Sequence, residues 1–210
     1  REGAEVQDVE VEGGRVRRLR TAAGVVAPEA VVLAAGAWSG TLARRLGLRL
    51  PVTAGKGYSF TVEPVTPPRH AISLLGPHVG CSPLAGGRMR VAGTMELSGV
   101  NLRLDRRRLA TIVAGAQRFL GPWRSDEPAE PWVGMRPLVP DGLPVIDRVA
   151  PGSNAYVATA YSMLGMTLAL PAGRALAELV LHDRRPDVLL PFAADRFSAR
   201  AALRRATCRR

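Results

Sequence analysis

Apolar and polar residues alternate over three short segments near the start of the 210-residue chain, and glycine-containing turns separate the segments. Alternation of this kind is typical of strands with one buried face, so the pattern predicts a hairpin or a small antiparallel meander. The segments are Val6 to Glu12, Arg15 to Thr21 and Val25 to Val26.

The pattern changes at Ala30, where an unbroken apolar run extends to Ala35 and ends at Gly36. A continuous run is typical of a strand that is buried on both faces of a parallel or mixed sheet. Ser39 is placed to cap a helix that follows and stops at Gly47. Strand, glycine, small residues and helix in succession bring backbone amides near a nucleotide in many α/β folds, although tight packing of helix on strand explains the same residues equally well.

Strand-like segments predominate from Pro51 to Leu97 and predict an antiparallel layer. Asp105 is placed to cap a helix whose apolar positions recur at helical spacing from Leu109 to Leu120, and Gly121 ends it. We expect this helix to cover the layer.

The last third of the chain returns to α/β patterning. Ala155 to Thr159 predicts another buried strand, and Met163 to Leu181 predicts an amphipathic helix. Pro171 restricts where that helix can begin, because proline has no backbone N–H and clashes with the preceding turn. The chain as a whole is therefore expected to have a mixed α/β fold.

The composition is that of a globular protein: 47% of residues are hydrophobic, and no apolar run approaches the roughly 20 residues that a membrane-spanning helix needs. The first residues carry no secretory signal, and Cys81 and Cys208 lie far apart without further cysteines at metal-ligand spacing. We therefore expect a cytoplasmic, reducing compartment, and we predict neither a disulfide framework nor a bound metal.

The net charge of +11 arises almost entirely from arginine, because Lys56 is the only lysine. Basic clusters such as Arg106 to Arg108 lack interleaved aromatic residues on which bases could stack. The charge therefore predicts a solvated basic surface rather than a nucleic-acid site.

The stretch from Trp132 to Ile146 holds a single arginine, Arg136, among three prolines and an Asp-Gly pair. Proline fixes φ and glycine permits positive φ, so the backbone changes direction here and then stiffens. A planar guanidinium on such a frame is suited to bind a carboxylate through two hydrogen bonds. A structural ion pair with Asp141 is the alternative role for Arg136.

This stretch resembles the R-P-x-x-P-D-G-x-P-x-I/V signature of flavin-dependent amino-acid oxidoreductases of the D-amino-acid dehydrogenase (small subunit) and D-amino-acid oxidase type. Further segments occur in the order and spacing of that family, and the resemblance reaches Ser198. They are Val31 to Ser39, Pro51-Val52 with Lys56 to Ser59, Gly87 to Leu97, and Met163 to Ala169.

The resemblance implies an FAD-dependent oxidoreductase that converts D-amino acids, through an imino acid, to 2-oxo acids and ammonia; a glycine or sarcosine oxidase-like activity belongs to the same class. It implies an incomplete Rossmann-like FAD-binding domain in residues 1–50 and 132–198, an antiparallel-sheet substrate domain with its covering helix in 51–131, and a loose tail in 199–210. The resemblance also implies a quinone or respiratory-chain electron acceptor. The protein is expected in the cytoplasm, either free or peripheral to the inner face of the cell membrane.

The resemblance further implies that Arg136 binds the substrate carboxylate and that Tyr58 reaches the same pocket. No side chain is assigned a catalytic role, because the flavin takes the Cα hydride itself. Met163 to Thr167 lies between a strand and a helix start, where free amides and the positive helix end can face the flavin's pyrimidine edge. The residues implied in cofactor binding are Val6, Gly36, Trp38, Met163, Leu164, Gly165, Met166 and Thr167.

The family begins with a strand followed by G-x-G-x-x-G, whose amides hold the FAD pyrophosphate, and this motif does not occur in the chain. We therefore expect the chain to be the C-terminal part of a flavoenzyme, with a missing N-terminal FAD-binding segment as its partner, and to be inactive alone. The alternative is a non-catalytic module that binds an amino acid or an anionic partner.

Overall fold

A computed structural model describes residues 2–124 and 128–198. The predicted loose tail, residues 199–210, lies outside the described residues, as does Cys208. In chain order the strands are β1 (Val6–Glu12), β2 (Arg15–Thr21), β3 (Gly24–Val26), β4 (Val31–Leu33), β5 (Thr53–Val62), β6 (Ile72–Leu74), β7 (Val79–Pro83), β8 (Met89–Glu96), β9 (Ala129–Leu138), β10 (Val145–Arg148) and β11 (Ala155–Thr159). The helices are α1 (Ser39–Arg45), α2 (Arg106–Leu120) and α3 (Gly165–His182), and short 3₁₀ segments occur at Gly36–Trp38, Ala85–Gly87, Asp187–Phe192 and Ala194–Phe197.

The chain divides into two compact units. The first comprises the residues up to Thr53 and from Pro137 onward, and the second is Ala54–Arg136. The domain boundaries at 50/51 and 131/132 stay a prediction; β5 begins at Thr53, and β9 runs without a break across position 132. The mixed α/β fold class is confirmed.

Two three-stranded sheets form the first unit. One is the meander β1-β2-β3, as the alternating pattern predicts. The other has the order β10-β11-β4, in which β11 runs parallel to β4 and antiparallel to β10. The parallel pair brings the carboxyl ends of β4 and β11 side by side, which is where ligands bind in α/β sheets.

The side chain of Asn154 joins these two sheets. Its Oδ1 accepts a hydrogen bond from the Val16 backbone N–H at 2.8 Å, and its Nδ2 donates to the Val16 carbonyl at 3.0 Å and to the Glu29 carbonyl at 3.1 Å. Asn154 itself is buried. A single amide therefore satisfies both backbone groups of a residue in β2.

The expectation that Ala30 to Ala35 forms a strand buried on both faces is wrong. Only Val31–Leu33 is extended, and Val32 is 44% exposed. β4 lies at the edge of its sheet, so nothing pairs with its outer side within the described residues. Its uncovered face lines an apolar groove of about 380 Å³ together with Val6, Val9 and Leu42.

Two local predictions about helices also need correction. Ser39 is the first residue of α1 rather than its cap, and its hydroxyl makes no capping bond. Pro171 does not delimit the start of α3, because the helix begins six residues earlier at Gly165 and passes through the proline. The packing of Ala175 and Leu179 against Ile146 and Tyr156 holds the helix despite the missing backbone donor.

The second unit is a five-stranded sheet with the order β6-β7-β8-β5-β9, in which β6–β7, β7–β8 and β8–β5 are antiparallel. α2 packs Ile112 and Ala116 into the core formed by the sheet. Asp105 caps this helix by accepting from the Arg107 N–H at 2.9 Å, and Gly121 ends it at φ +70°. The predicted layer with its covering helix is therefore confirmed.

None of the helices within the described ranges combines the length and the apolar character that crossing a membrane requires.

Candidate functional site

Arg136, the last residue of the second unit, extends from β9 over the neighbouring strands β5 and β8. Its Nη1 donates to the Thr94 carbonyl at 3.2 Å and lies 3.9 Å from the Met95 sulfur. Partial burial lowers the pKa of Arg136, yet a guanidinium stays charged at any physiological pH. Among the described residues, Nε and Nη2 have no hydrogen-bond partner and no carboxylate pairs with the side chain. One edge of a charged fork is therefore free to bind an anion.

The alternative of an ion pair between Arg136 and Asp141 is not realised, because Asp141 pairs with Arg196. The Nε and Nη2 atoms of Arg196 bind the two carboxylate oxygens at 2.8 and 3.2 Å. Arg196 also donates to the Leu143 carbonyl at 2.7 Å, and its hydrogen bond lowers the pKa of Asp141. This pair fixes the Asp-Gly turn, a role for Arg196 that the sequence analysis missed.

Tyr58 lies in the core of the second unit and is 1% exposed. Its hydroxyl donates to Glu96 Oε2 at 2.7 Å, while Lys56 Nζ lies 3.2 Å from Glu96 Oε1. Hydrogen bonds from Ser98 and Tyr58, together with Lys56, lower the pKa of Glu96 from 4.5 to about 2. Contact of Tyr58 with a substrate stays a prediction, and its hydroxyl is committed to Glu96 in this structure.

The loops that follow β4 and β11 meet at the carboxyl end of the parallel pair. The Thr159 hydroxyl donates to the Gly36 carbonyl at 2.9 Å and so links the two loops. After β11 the backbone takes positive φ at Ala160 (+64°) and Ser162 (+52°), and the Ser162 N–H donates to the Pro137 carbonyl at 3.1 Å. These contacts set the direction in which the chain enters α3.

The N-terminus of α3 has no side-chain cap at Leu164, so the amides of its first turn lack a partner from a capping side chain. A Cβ added to Gly165 would make only an ordinary contact, at 3.7 Å from Tyr161 Cβ, so nothing nearby requires glycine there. Large apolar side chains are exposed in and before this turn: Met163 is 70% exposed and Met166 93%. The turn thus offers hydrogen-bond donors beside apolar surface.

The other predicted cofactor residues lie on the β4 side of the first unit. Trp38, in the 3₁₀ segment after β4, is 46% exposed, and the neighbouring Ser39 hydroxyl is buried without a hydrogen-bond partner among the described residues. Val6 lines the apolar groove beside β4. Which of these residues contacts a cofactor stays a prediction.

These features fit one end of FAD. An isoalloxazine ring presents a large apolar face and a polar pyrimidine edge, which match exposed Trp38 and Met163 and the uncapped amides of α3. Those amides carry the positive end of the helix dipole, which favours an anionic ring. The pyrophosphate of FAD is held by different donors, the backbone amides of a G-x-G-x-x-G turn. That motif does not occur in the sequence.

The first unit contains a parallel strand pair with loops at its carboxyl edge, and the second is an antiparallel sheet that carries Arg136. Residues 1–179 match the sequence profile of the FAD dependent oxidoreductase (DAO) family, and the chain belongs to that family. The prediction of an FAD-dependent oxidoreductase is thereby confirmed at the level of the family.

Individual relatives refine this placement. The chain is 35% identical over 190 residues to a D-amino acid dehydrogenase of Cereibacter sphaeroides, and 38% identical over 180 residues to that of Paramagnetospirillum magneticum. The matches cover 90% and 83% of this chain but only 43% and 42% of those proteins. A protein of Halorhodospira halophila named an uncharacterized oxidoreductase is 35% identical over 194 residues, with 87% of this chain and 84% of that protein covered.

Solved structures give the same fold. Glycine oxidase from Geobacillus kaustophilus superposes with a TM-score of 0.75 at 26% identity, over 91% of this chain and 51% of that one. L-proline dehydrogenase from P. horikoshii superposes with a TM-score of 0.78 at 20% identity, over 92% and 54%. The chain therefore spans about half the length of these enzymes.

Proposed function

We propose that this chain is part of an FAD-dependent D-amino-acid dehydrogenase, in which Arg136 binds the substrate carboxylate. The observation that carries the proposal is the free Nε–Nη2 edge of Arg136, a part-buried charge without a carboxylate partner among the described residues. A charge that is partly removed from water gains from an anionic ligand, which replaces the lost hydration. The D-amino acid dehydrogenases among the relatives supply the substrate class.

In the proposed reaction the residues of this chain bind and orient rather than exchange protons. Arg136 would fix the substrate carboxylate through two parallel hydrogen bonds, which sets the direction of the Cα–H bond. FAD, when bound, supplies the acceptor for the hydride from Cα. Met163, Leu164, Gly165, Met166 and Thr167 would hold the pyrimidine edge and one face of the ring, with Val6, Gly36 and Trp38 contributing from the β4 side. The resulting imino acid then reacts with water to give a 2-oxo acid and ammonia.

The 210 residues alone are proposed to be inactive and to need an N-terminal FAD-binding segment, since the chain covers only 43% and 42% of two D-amino acid dehydrogenases. The apolar groove beside β4 supports this proposal, because a strand paired to β4 would cover Val32. Burying a few hundred Å² of such surface stabilises a structure by several kcal/mol at about 25 cal/mol per Å².

The test is reconstitution. We expect the chain, co-expressed with the N-terminal half of the Cereibacter sphaeroides D-amino acid dehydrogenase, to yield a yellow complex that oxidises D-alanine with a quinone acceptor. Glycine and sarcosine serve as comparison substrates, because the likeness to a glycine oxidase favours the oxidase-like alternative. A complex that binds FAD but oxidises none of these amino acids would favour a non-catalytic amino-acid-binding module.

A further inference from the structure

The guanidinium of Arg136 lies directly against Gly57 of β5. A Cβ built on Gly57 would fall within 2.5 Å of three guanidinium atoms, Nη1, Cζ and Nη2. Gly57 does not have a positive φ, so its backbone conformation is open to alanine. A Cβ at this position would therefore displace the guanidinium of Arg136 from the place it occupies.

The strand opposite Gly57 is irregular at the same point. In the pairing of β5 with β8, Lys56 is opposite Glu96 and Tyr58 is opposite Gly93, so that two residues, Thr94 and Met95, face the single Gly57. This is a β-bulge, and Thr94 within it has φ +68°, which is uncommon for a threonine. The bulge presents the Thr94 carbonyl to Arg136 Nη1. Bulges commonly re-aim groups beside functional sites.

We propose that Gly57 and the Thr94 bulge form a seat that positions Arg136, so that the substrate carboxylate binds the Nε–Nη2 edge. The seat acts in two ways: Gly57 lets the flat guanidinium lie against the sheet, and the Thr94 carbonyl holds Nη1. The remaining Nε and Nη2 donors are parallel and match the two oxygens of a carboxylate. Gly57 is thus a positioning residue. This inference rests on the proposed function of Arg136.

The test uses Gly57→Ala in the FAD-loaded enzyme, with Gly80→Ala as the matched control. Gly80 is a strand glycine of the same sheet, where an added Cβ would meet only the Ala92 carbonyl at 3.9 Å. Two substrates that differ only at the carboxylate, D-alanine and D-alaninamide, are compared through kcat/KM. Binding of propionate and of propionamide, followed by flavin absorbance, provides a readout that is independent of turnover.

We expect Gly57→Ala to lower kcat/KM for D-alanine by about 10- to 100-fold and to weaken propionate binding by a similar factor, the range of a charge-assisted hydrogen bond. D-Alaninamide, propionamide and FAD content should change little, and Gly80→Ala should resemble the parent enzyme. Equal losses for D-alanine and D-alaninamide, or no loss for either, would overturn the proposal.

Variants of Arg136 separate this inference from the proposed function. In an Arg136→Met background, Gly57→Ala should add little further loss with D-alanine, because the seat then has no guanidinium to hold. If Arg136→Met leaves the preference for D-alanine over D-alaninamide unchanged, the proposed function itself fails. If that preference collapses but Gly57→Ala has no effect, only the seat is refuted.

Thermal unfolding keeps the test decisive if Gly57→Ala folds poorly. Truncation in Arg136→Ala removes the atoms that a Cβ at position 57 would meet. If Gly57→Ala lowers the melting temperature, the double variant Gly57→Ala with Arg136→Ala should therefore restore it. A melting temperature that is lowered in Gly57→Ala and not restored in the double variant would show that Arg136 does not occupy the space above Gly57.

Discussion

Replacing Arg136 by lysine in the FAD-loaded enzyme tests whether the shape of the cation matters as well as its charge. Lysine keeps the positive charge but has no counterpart of the Nε–Nη2 edge, and it cannot fill the space against Gly57 in the same way. One of two charge-assisted hydrogen bonds to the carboxylate is lost, at about 1.5–3 kcal/mol. That loss corresponds to a fall of about 10- to 150-fold in kcat/KM.

The assay is steady-state kinetics with a D-amino acid, accompanied by measurement of flavin content. FAD content should not change, because Arg136 belongs to the sheet unit and the predicted flavin loops belong to the other unit. Arg118→Lys is the control, since Arg118 is an exposed arginine on α2 of the same unit. An Arg136→Lys enzyme with unchanged kcat/KM would refute the carboxylate role, and a loss of FAD would show that the substitution acts through the fold instead.

Glu96, the Asp141–Arg196 pair and the missing phosphate cradle allow three more tests. The folded-state pKa of Glu96 lies at about 2, below its ordinary 4.5, so its contribution to stability is present above pH 4.5 and is lost as the pH falls toward 2. The free energy of unfolding, measured in urea across that pH range, should depend less on pH in Glu96→Gln than in the parent protein. An equal pH dependence in both would contradict the contacts assigned to Glu96. Arg196→Met should lower the free energy of unfolding by about 2–4 kcal/mol, because the part-buried Asp141 carboxylate loses its partner; exposed Arg174→Met is the control, and an equal effect of both would argue against a special role for Arg196. The 210-residue chain purified alone should show no flavin absorbance, and a monomer with stoichiometric FAD would mean that no further segment is needed.

Features set by local chemistry could be predicted from the sequence. The meander follows from alternation and glycine turns, and α2 follows from the Asp105 cap, the apolar stripe and Gly121. The proline-rich frame also distinguishes Arg136 in the sequence, although the choice between a ligand and an ion pair with Asp141 stays open there. In each case the residues that decide the structure lie within one or two turns of one another.

Features set by distant partners could not be predicted. Arg196 lies 55 residues from Asp141 in the sequence, and no residue near Asp141 indicates that the two side chains pair. The seat of Arg136 depends on a bulge, which is a property of the register between two strands and not of either strand alone. The exposure of Val32 depends on which strand lies beyond β4, and a run of apolar residues carries no such information.

The side chain of Asn154 links two sheets, and few other side chains could make the same hydrogen bonds at this position. Aspartate has nearly the same size and shape, but it would replace the Nδ2 donor with an oxygen that faces the carbonyls of Val16 and Glu29. An ionised aspartate would bring three oxygens together in a buried space, and a protonated one could donate to only one of the two carbonyls. Exchange of a single NH₂ group for oxygen, the change that spontaneous deamidation makes, would therefore weaken the link between the meander and the neighbouring sheet without altering the bulk of the side chain.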